Sequence, residues 1–152
     1  MKNNQLMIYG AYGYAGELMV REAVAQGLRP IIAGRDDEKL KPIATELSLE
    51  CRAFGVRNTG SNLQDISVLL NCAGPFSATA EPLARACLAQ QIHYLDITGE
   101  IDIFRKCHAL DEEARQQNVL ILPGAGTDIV PTDCLAAMLK EKLPVATRID
   151  LA

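Results

Sequence analysis

Apolar positions along the chain follow two alternating patterns. Leu6-Met7-Ile8-Tyr9 is an unbroken apolar run, as expected of a strand buried on both faces. Beyond it, Gly16, Met19, Val20, Ala23, Val24 and Gly27 recur at i, i+3, i+4, i+7, i+8 and i+11, which is one face of a helix. Glu17 and Arg21 pair on the other side, and Gly27 is a stop signal. Pro30 to Gly34 predicts a second strand with its proline at the first position. Asp36, Asp37 and Glu38 make an acidic entry to a second helix through Leu40, Ile43, Ala44 and Leu47. Pro42 must lie in its first turn or kink it.

The alternation continues. Leu49 to Phe54 is a weak third strand, and residues 55–65 read as loop or short irregular helix. Ser67 to Asn71 is a fourth strand. Ala80, Leu83, Ala84, Cys87, Leu88 and Gln91 share a helical face, with Pro82 near its start. Ile92 to Leu95 is a fifth strand, and one helix carries Ile103, Cys107, Leu110 and Ala114. Val119 to Leu122 is a sixth strand, Pro131 opens a helix to about Leu143, and residues 145–152 start another strand. Strand and helix in alternation predict a doubly wound α/β domain: a parallel sheet of order 3-2-1-4-5-6, covered on both faces, with right-handed crossovers.

At 152 residues the chain fits one domain. It ends in a strand-like pattern, so residues 145–152 are expected to begin a further domain that the sequence lacks. Hydrophobic residues make up 49% and the net charge is −4. That profile is globular, and it supplies too little positive charge for general nucleic-acid binding. No apolar run reaches the length of a transmembrane helix or a signal peptide. The five cysteines are odd in number and contain no Cys-x-x-Cys. Reduced thiols in a cytoplasmic protein are the expectation. His93 and His108 lack partners at metal-ligand spacing, so no metal site is expected.

The chemistry concentrates in loops that follow strands. Gly10-Ala11-Tyr12-Gly13-Tyr14-Ala15-Gly16 joins the first strand to the first helix. Gly10 suits a tight turn, Gly13 leaves room for a pyrophosphate at the backbone, and Gly16 permits close helix packing. Free amides at the helix start favour phosphate. The spacing is G-x-x-G-x-x-G, and its strand–loop–helix context points to a dinucleotide. Arg35 stands at the end of the second strand, where NAD-preferring folds place an acid. A guanidinium there suits a 2′-phosphate and favours NADP over NAD. Asp36 can cap the helix or face the ribose.

Asn71-Cys72-Ala73-Gly74-Pro75 follows the fourth strand, beside the switch in strand order, where Cys72, Ala73, Gly74 and Pro75 can line the cofactor's path. No base accompanies Cys72 in sequence, which argues against a nucleophile. Asp96, Thr98, Gly99 and Glu100 follow the fifth strand. They can touch the nicotinamide, a substrate or a neighbouring domain, or Thr98 and Glu100 can cap the next helix. Gly124-Ala125-Gly126-Thr127-Asp128 reads as a cleft wall or a hinge.

Taken together, Gly10-x-x-Gly13-Tyr14-x-Gly16, Ala33-Gly34-Arg35, Asn71-Cys72-Ala73-Gly74-Pro75, Tyr94-x-Asp96-x-Thr98-Gly99-Glu100 and Gly126-x-Asp128-x-x-Pro131-x-Asp133 resemble the N-terminal domain of the saccharopine dehydrogenase-like oxidoreductases, including the branch similar to trans-acting enoyl reductases. The resemblance spans nearly the whole chain. It implies a Rossmann domain binding NAD(P), followed in the family by a substrate and dimerisation domain. The expected function is an NADP-dependent oxidoreductase acting on an unidentified small molecule, this chain being its cofactor domain and not catalytically complete. A homodimer through an exposed sheet edge is compatible with it. The alternative is a non-catalytic NAD(P) sensor of the atypical short-chain dehydrogenase type. A standard short-chain dehydrogenase is disfavoured, because Tyr9, Tyr12, Tyr14 and Tyr94 are followed four residues later by Gly13, Gly16, Leu18 and Thr98.

Overall fold

A computed structural model describes residues 5–126 and 129–150. Six strands form one sheet: β1 Gln5–Tyr9, β2 Ile31–Gly34, β3 Cys51–Ala53, β4 Ile66–Asn71, β5 His93–Asp96 and β6 Ile121–Leu122. All pairings are parallel, and the order is β3-β2-β1-β4-β5-β6. The helices are α1 Tyr14–Ala25, α2 Asp37–Leu47, α3 Phe76–Ala89, α4 Ile101–His108, α5 Asp111–Gln116 and α6 Val130–Lys142. The expected doubly wound α/β sheet and its strand order are therefore present.

The twofold period of each strand builds two cores. Met7 and Tyr9 of β1 face a cluster with Leu69, Leu83, Tyr94 and Ile103. Ile8, between them, faces the opposite cluster with Val20, Ile32, Leu40 and Ile43. Both faces of β1 are covered, which explains its continuous apolar run. Gly27 has φ +82 and closes the end of α1, with Leu28 N–H donating to the Ala23 carbonyl at 2.9 Å.

Three local expectations differ. The helix through Ile103 and Ala114 is two helices, because Leu110 N–H donates to Cys107 O at 3.0 Å in a tight turn and the chain restarts there. Its four apolar positions still point inward. Pro42 and Pro82 both lie well inside their helices, past the first turn. A proline ring removes one hydrogen bond, and packing of the buried face outweighs that loss. Residues 145–150 form no strand, since no neighbouring strand pairs with them among the described residues. Thr127 and Asp128, the end of the second glycine-rich loop, lie outside the described residues. Among the described residues no helix is long and apolar enough to cross a membrane.

Candidate functional site

The loop after β1 is held from three sides. Gly10 has φ +83, a conformation that L side chains rarely adopt. The amides of Gly10 and Ala11 both donate to the Ala33 carbonyl of β2, at 2.8 and 3.1 Å. On the β4 side, a Cβ at Gly10 would lie 2.7 Å from the Ala73 nitrogen. On the α1 side, a Cβ at Gly16 would collide with the Gly10 carbonyl oxygen. Close approach of three backbones therefore sets the position of the α1 N-terminus.

That N-terminus is open. Gly13 is its capping residue and supplies no side chain, so no side-chain hydrogen bond caps the helix. The amides of Tyr14, Ala15 and Gly16 have no carbonyl one turn behind them. The next two helices differ. Asp36 caps α2 by accepting from Lys39 N–H at 3.3 Å, the first of the two roles open to it in sequence. Glu100 covers the start of α3, its carboxylate accepting from Phe76 N–H at 2.9 Å and Ser77 N–H at 3.0 Å. Of these three helix starts, the one behind the glycine loop is left for an anion.

A cleft of about 550 Å³ runs past this point at the carboxyl edge of the sheet. It brings together Gly10, Tyr12, Gly13 and Arg35 on one side and Cys72, Ala73, Gly74 and Pro75 on the other. Gly16 and Ala11 are buried beneath the loop, Ala15 is half-buried, and Tyr14 is 87% exposed and outside the lining. Tyr9 also lines the cleft, where its hydroxyl donates to the Phe54 carbonyl at 2.9 Å. The turn after β3, with Gly55, Val56 and Arg57, completes the cleft. Sequence reasoning missed that turn, because the weak third strand gave no reason to look beyond it.

Asp96, Thr98, Gly99 and Glu100 are not part of this lining. Asp96 and Thr98 are fully buried. Asp96 accepts from the Tyr94 hydroxyl at 2.8 Å, from Thr98 N–H at 3.0 Å and from Gly124 N–H at 2.9 Å. Thr98 Oγ1 accepts from Glu100 N–H at 3.0 Å. Asn71 extends the network: its Nδ2 donates to the Tyr94 hydroxyl at 3.1 Å and to Thr79 Oγ1 at 3.2 Å, while its Oδ1 accepts from Ala73 N–H at 3.0 Å. Thr79 in turn donates to the Ala73 carbonyl at 2.6 Å. The polar edge thus works from below, fixing the backbone that forms the far wall. Gly99 and Glu100 border a separate shallow depression beside Ser77. The Glu100 side chain caps α3 and not α4, whose N-cap position Glu100 occupies without a side-chain hydrogen bond.

Burial, and secondly the Asp96 carboxylate, push the Cys72 thiol up to about 12. Burial alone does the same for Cys87, to about 12, and chiefly burial raises Cys107 to about 11. Cys72 is therefore a neutral wall residue at physiological pH, not a nucleophile. Above about pH 9 the unfolded chain sheds thiol protons that the folded chain keeps. Stability is therefore intact below that pH and falls as pH rises toward the folded values. Iodoacetamide at about pH 8 is expected to label exposed Cys134 and spare these three, and the melting temperature is expected to decline above about pH 9. Rapid labelling of Cys72 in the folded protein would contradict this assignment.

Residues 6–122 match the family model for the saccharopine dehydrogenase NADP binding domain. The chain belongs to that family. It is similar to the rat saccharopine dehydrogenase-like oxidoreductase, with 27% identity over 152 residues, 85% of this chain and 35% of the relative. It is also 27% identical over 145 residues to a Mycobacterium tuberculosis protein that is provisionally named a trans-acting enoyl reductase, covering 84% of this chain and 33% of that protein. The solved saccharopine dehydrogenase (L-Glu forming) of Saccharomyces cerevisiae has the same fold, with TM-score 0.79 and 12% identity over 95% of this chain and 32% of that one. The chain spans about a third of the length of the curated relatives it matches. The open helix start and the cleft lie at the switch in strand order, where nucleotides bind in such sheets.

Proposed function

We propose that this chain is the cofactor domain of an NADP-dependent oxidoreductase. In this reading the pyrophosphate lies on the Gly10–Gly16 loop and the 2′-phosphate on Arg35. One observation carries it: among the described residues, the cleft beside the uncapped start of α1 is lined by arginine and by no carboxylate. A ribose 2′-hydroxyl calls for an acid, and the nearest in sequence, Asp36, is engaged as a helix cap. A 2′-phosphate calls for a cation. Arg35 is exposed, and its charge opposes the rise that burial and Tyr12 impose on the Tyr9 phenol, which is held at about 12. Its guanidinium therefore acts electrostatically on a cleft-lining residue.

Hydride transfer would be the chemistry of the bound nicotinamide. The chain's own part is to hold the dinucleotide and to shape one wall. Two hydroxyls of the lining are already committed, and its thiol is not ionised. The Tyr9 hydroxyl donates to Phe54 O, the Thr79 hydroxyl to Ala73 O, and Cys72 stays neutral. Tyr12 is the lining hydroxyl left without such a bond among the described residues, and the substrate contacts would come largely from outside this lining. The same fact supports the second reading, a domain that binds NAD(P) without turnover.

Titration of the chain with NADPH and NADH, followed by fluorescence and melting temperature, tests the proposal. NADPH is expected to bind more tightly. Arg35→Ala is expected to weaken NADPH by about 1–3 kcal/mol, the loss of a charge-assisted bond, and to leave NADH unchanged. Silence toward both nucleotides at millimolar concentration would overturn the reading, as would an Arg35→Ala variant with undiminished NADPH affinity.

A further inference from the structure

The chain has nine arginines and a net charge of −4. Seven of them are engaged by the protein. Arg21, Arg52, Arg85, Arg105, Arg115 and Arg148 pair with carboxylates, and Arg29 donates to the Leu47 carbonyl. Among the described residues, Arg35 and Arg57 make neither a hydrogen bond nor an ion pair. Both line the same cleft. In an acidic chain with carboxylates to spare, two unpaired guanidiniums at one concave place mark a site for an anion.

The backbone that carries Arg57 is ordered by specific bonds. Gly34 and Ala53 are register partners of β2 and β3. Phe54 N–H then donates to the Gly34 carbonyl at 2.8 Å, one residue before Arg35. Phe54 O accepts from the Tyr9 hydroxyl, and the two rings pack with centroids 5.1 Å apart. Asn58 N–H closes a turn onto Gly55 O at 2.8 Å, with Arg57 at its third position. Arg52 holds the following loop by donating to the Asn62 and Gln64 carbonyls, at 2.8 and 2.9 Å. Arg57 thus leaves the sheet edge from the strand next to the one that delivers Arg35, on a tied turn.

We propose that Arg57 is a second specificity-determining residue of this site, sharing a ribose 2′-phosphate with Arg35. The inference rests on the reading of the cleft as an NADP site and adds to it. A phosphate monoester carries nearly two negative charges at neutral pH. Two guanidiniums match that charge, and the rigid fork of each gives directed donors to separate oxygens. A diphosphate without the 2′ group would use the open α1 amides and gain little from this pair.

The test uses wild type, Arg57→Ala, Arg57→Lys and Arg35→Ala, with NADPH, NADH, adenosine 2′,5′-bisphosphate and ADP as ligands. Arg57→Ala is expected to weaken NADPH and the bisphosphate by about tenfold or more, and to leave NADH and ADP unchanged. Arg57→Lys is expected to recover part of the loss, as a point charge without the fork. Melting temperatures of the free variants should match wild type, since the Arg57 side chain has no hydrogen bond or ion pair among the described residues. If wild type prefers NADPH and Arg35→Ala abolishes that preference while Arg57→Ala does nothing, this proposal alone fails. An equal loss for all four ligands would place Arg57 on the adenine or diphosphate and also overturn it. If wild type binds neither NADPH nor the bisphosphate, the underlying reading of the cleft fails with it.

Discussion

Asp96→Ala is expected to lower the unfolding free energy by about 4 kcal/mol, the largest effect of any single change considered. The carboxylate is wholly buried and accepts from three donors: the Tyr94 hydroxyl and the amides of Thr98 and Gly124. Alanine leaves all three without a partner, and each orphaned buried donor costs about 1–3 kcal/mol. The domain's whole stability is on the order of 10 kcal/mol. The two amides belong to the segments after β5 and β6, so the carboxylate also ties those segments to the sheet. Urea unfolding with an unchanged m-value measures the loss directly. Tyr94→Phe removes one of the three donors and should cost far less. A loss under about 1 kcal/mol for Asp96→Ala would mean that water replaces the carboxylate, and the network would then not be the framework described.

Gly16→Ala is expected to destabilise the domain by about 1–3 kcal/mol and to weaken NADPH about 100-fold. The sign is the point. In an ordinary helix interior, alanine is better than glycine by about 1 kcal/mol. At Gly16 the added Cβ meets the Gly10 carbonyl oxygen, with Ala11 Cα 3.0 Å away. These are backbone atoms, and the Gly10 and Ala11 amides are already tied to Ala33. The loop cannot yield, so α1 must back away and carry its free amides with it. Losing two charge-assisted amide bonds gives the affinity estimate. Calorimetry and titration on one preparation check both parts. A more stable variant with full NADPH affinity would refute the packing argument and the phosphate position together.

Much of the fold was legible because it depends on periodicity. A strand buried on both faces has to be apolar throughout, as Leu6 to Tyr9 is, and a helix covering one face has to repeat as Gly16 to Gly27 does. The glycine loop was legible for the same reason, since its tasks are local. Glu100 was not. Its partners Phe76 and Ser77 lie 24 and 23 residues away, and only the neighbouring placement of β4 and β5 brings them together. Arg57 was hidden by a three-residue strand with no burial signal of its own. The break between α4 and α5 escaped because the buried positions keep one helical spacing across it.

The sequence by itself determined the alternation of strand and helix, the open glycine turn before α1 and the cation at the end of β2. Each is set by residue type and spacing within one element or one loop. Tertiary structure decided which polar groups are spent inside the molecule and which remain for a ligand. Asp36 and Glu100 cap helices, Asp96 and Asn71 hold the sheet edge from beneath, and Arg35 with Arg57 is left unpaired in the cleft among the described residues. The physical reason is that hydrogen-bond partnership depends on proximity in space, and a parallel sheet makes neighbours of segments that the chain keeps far apart.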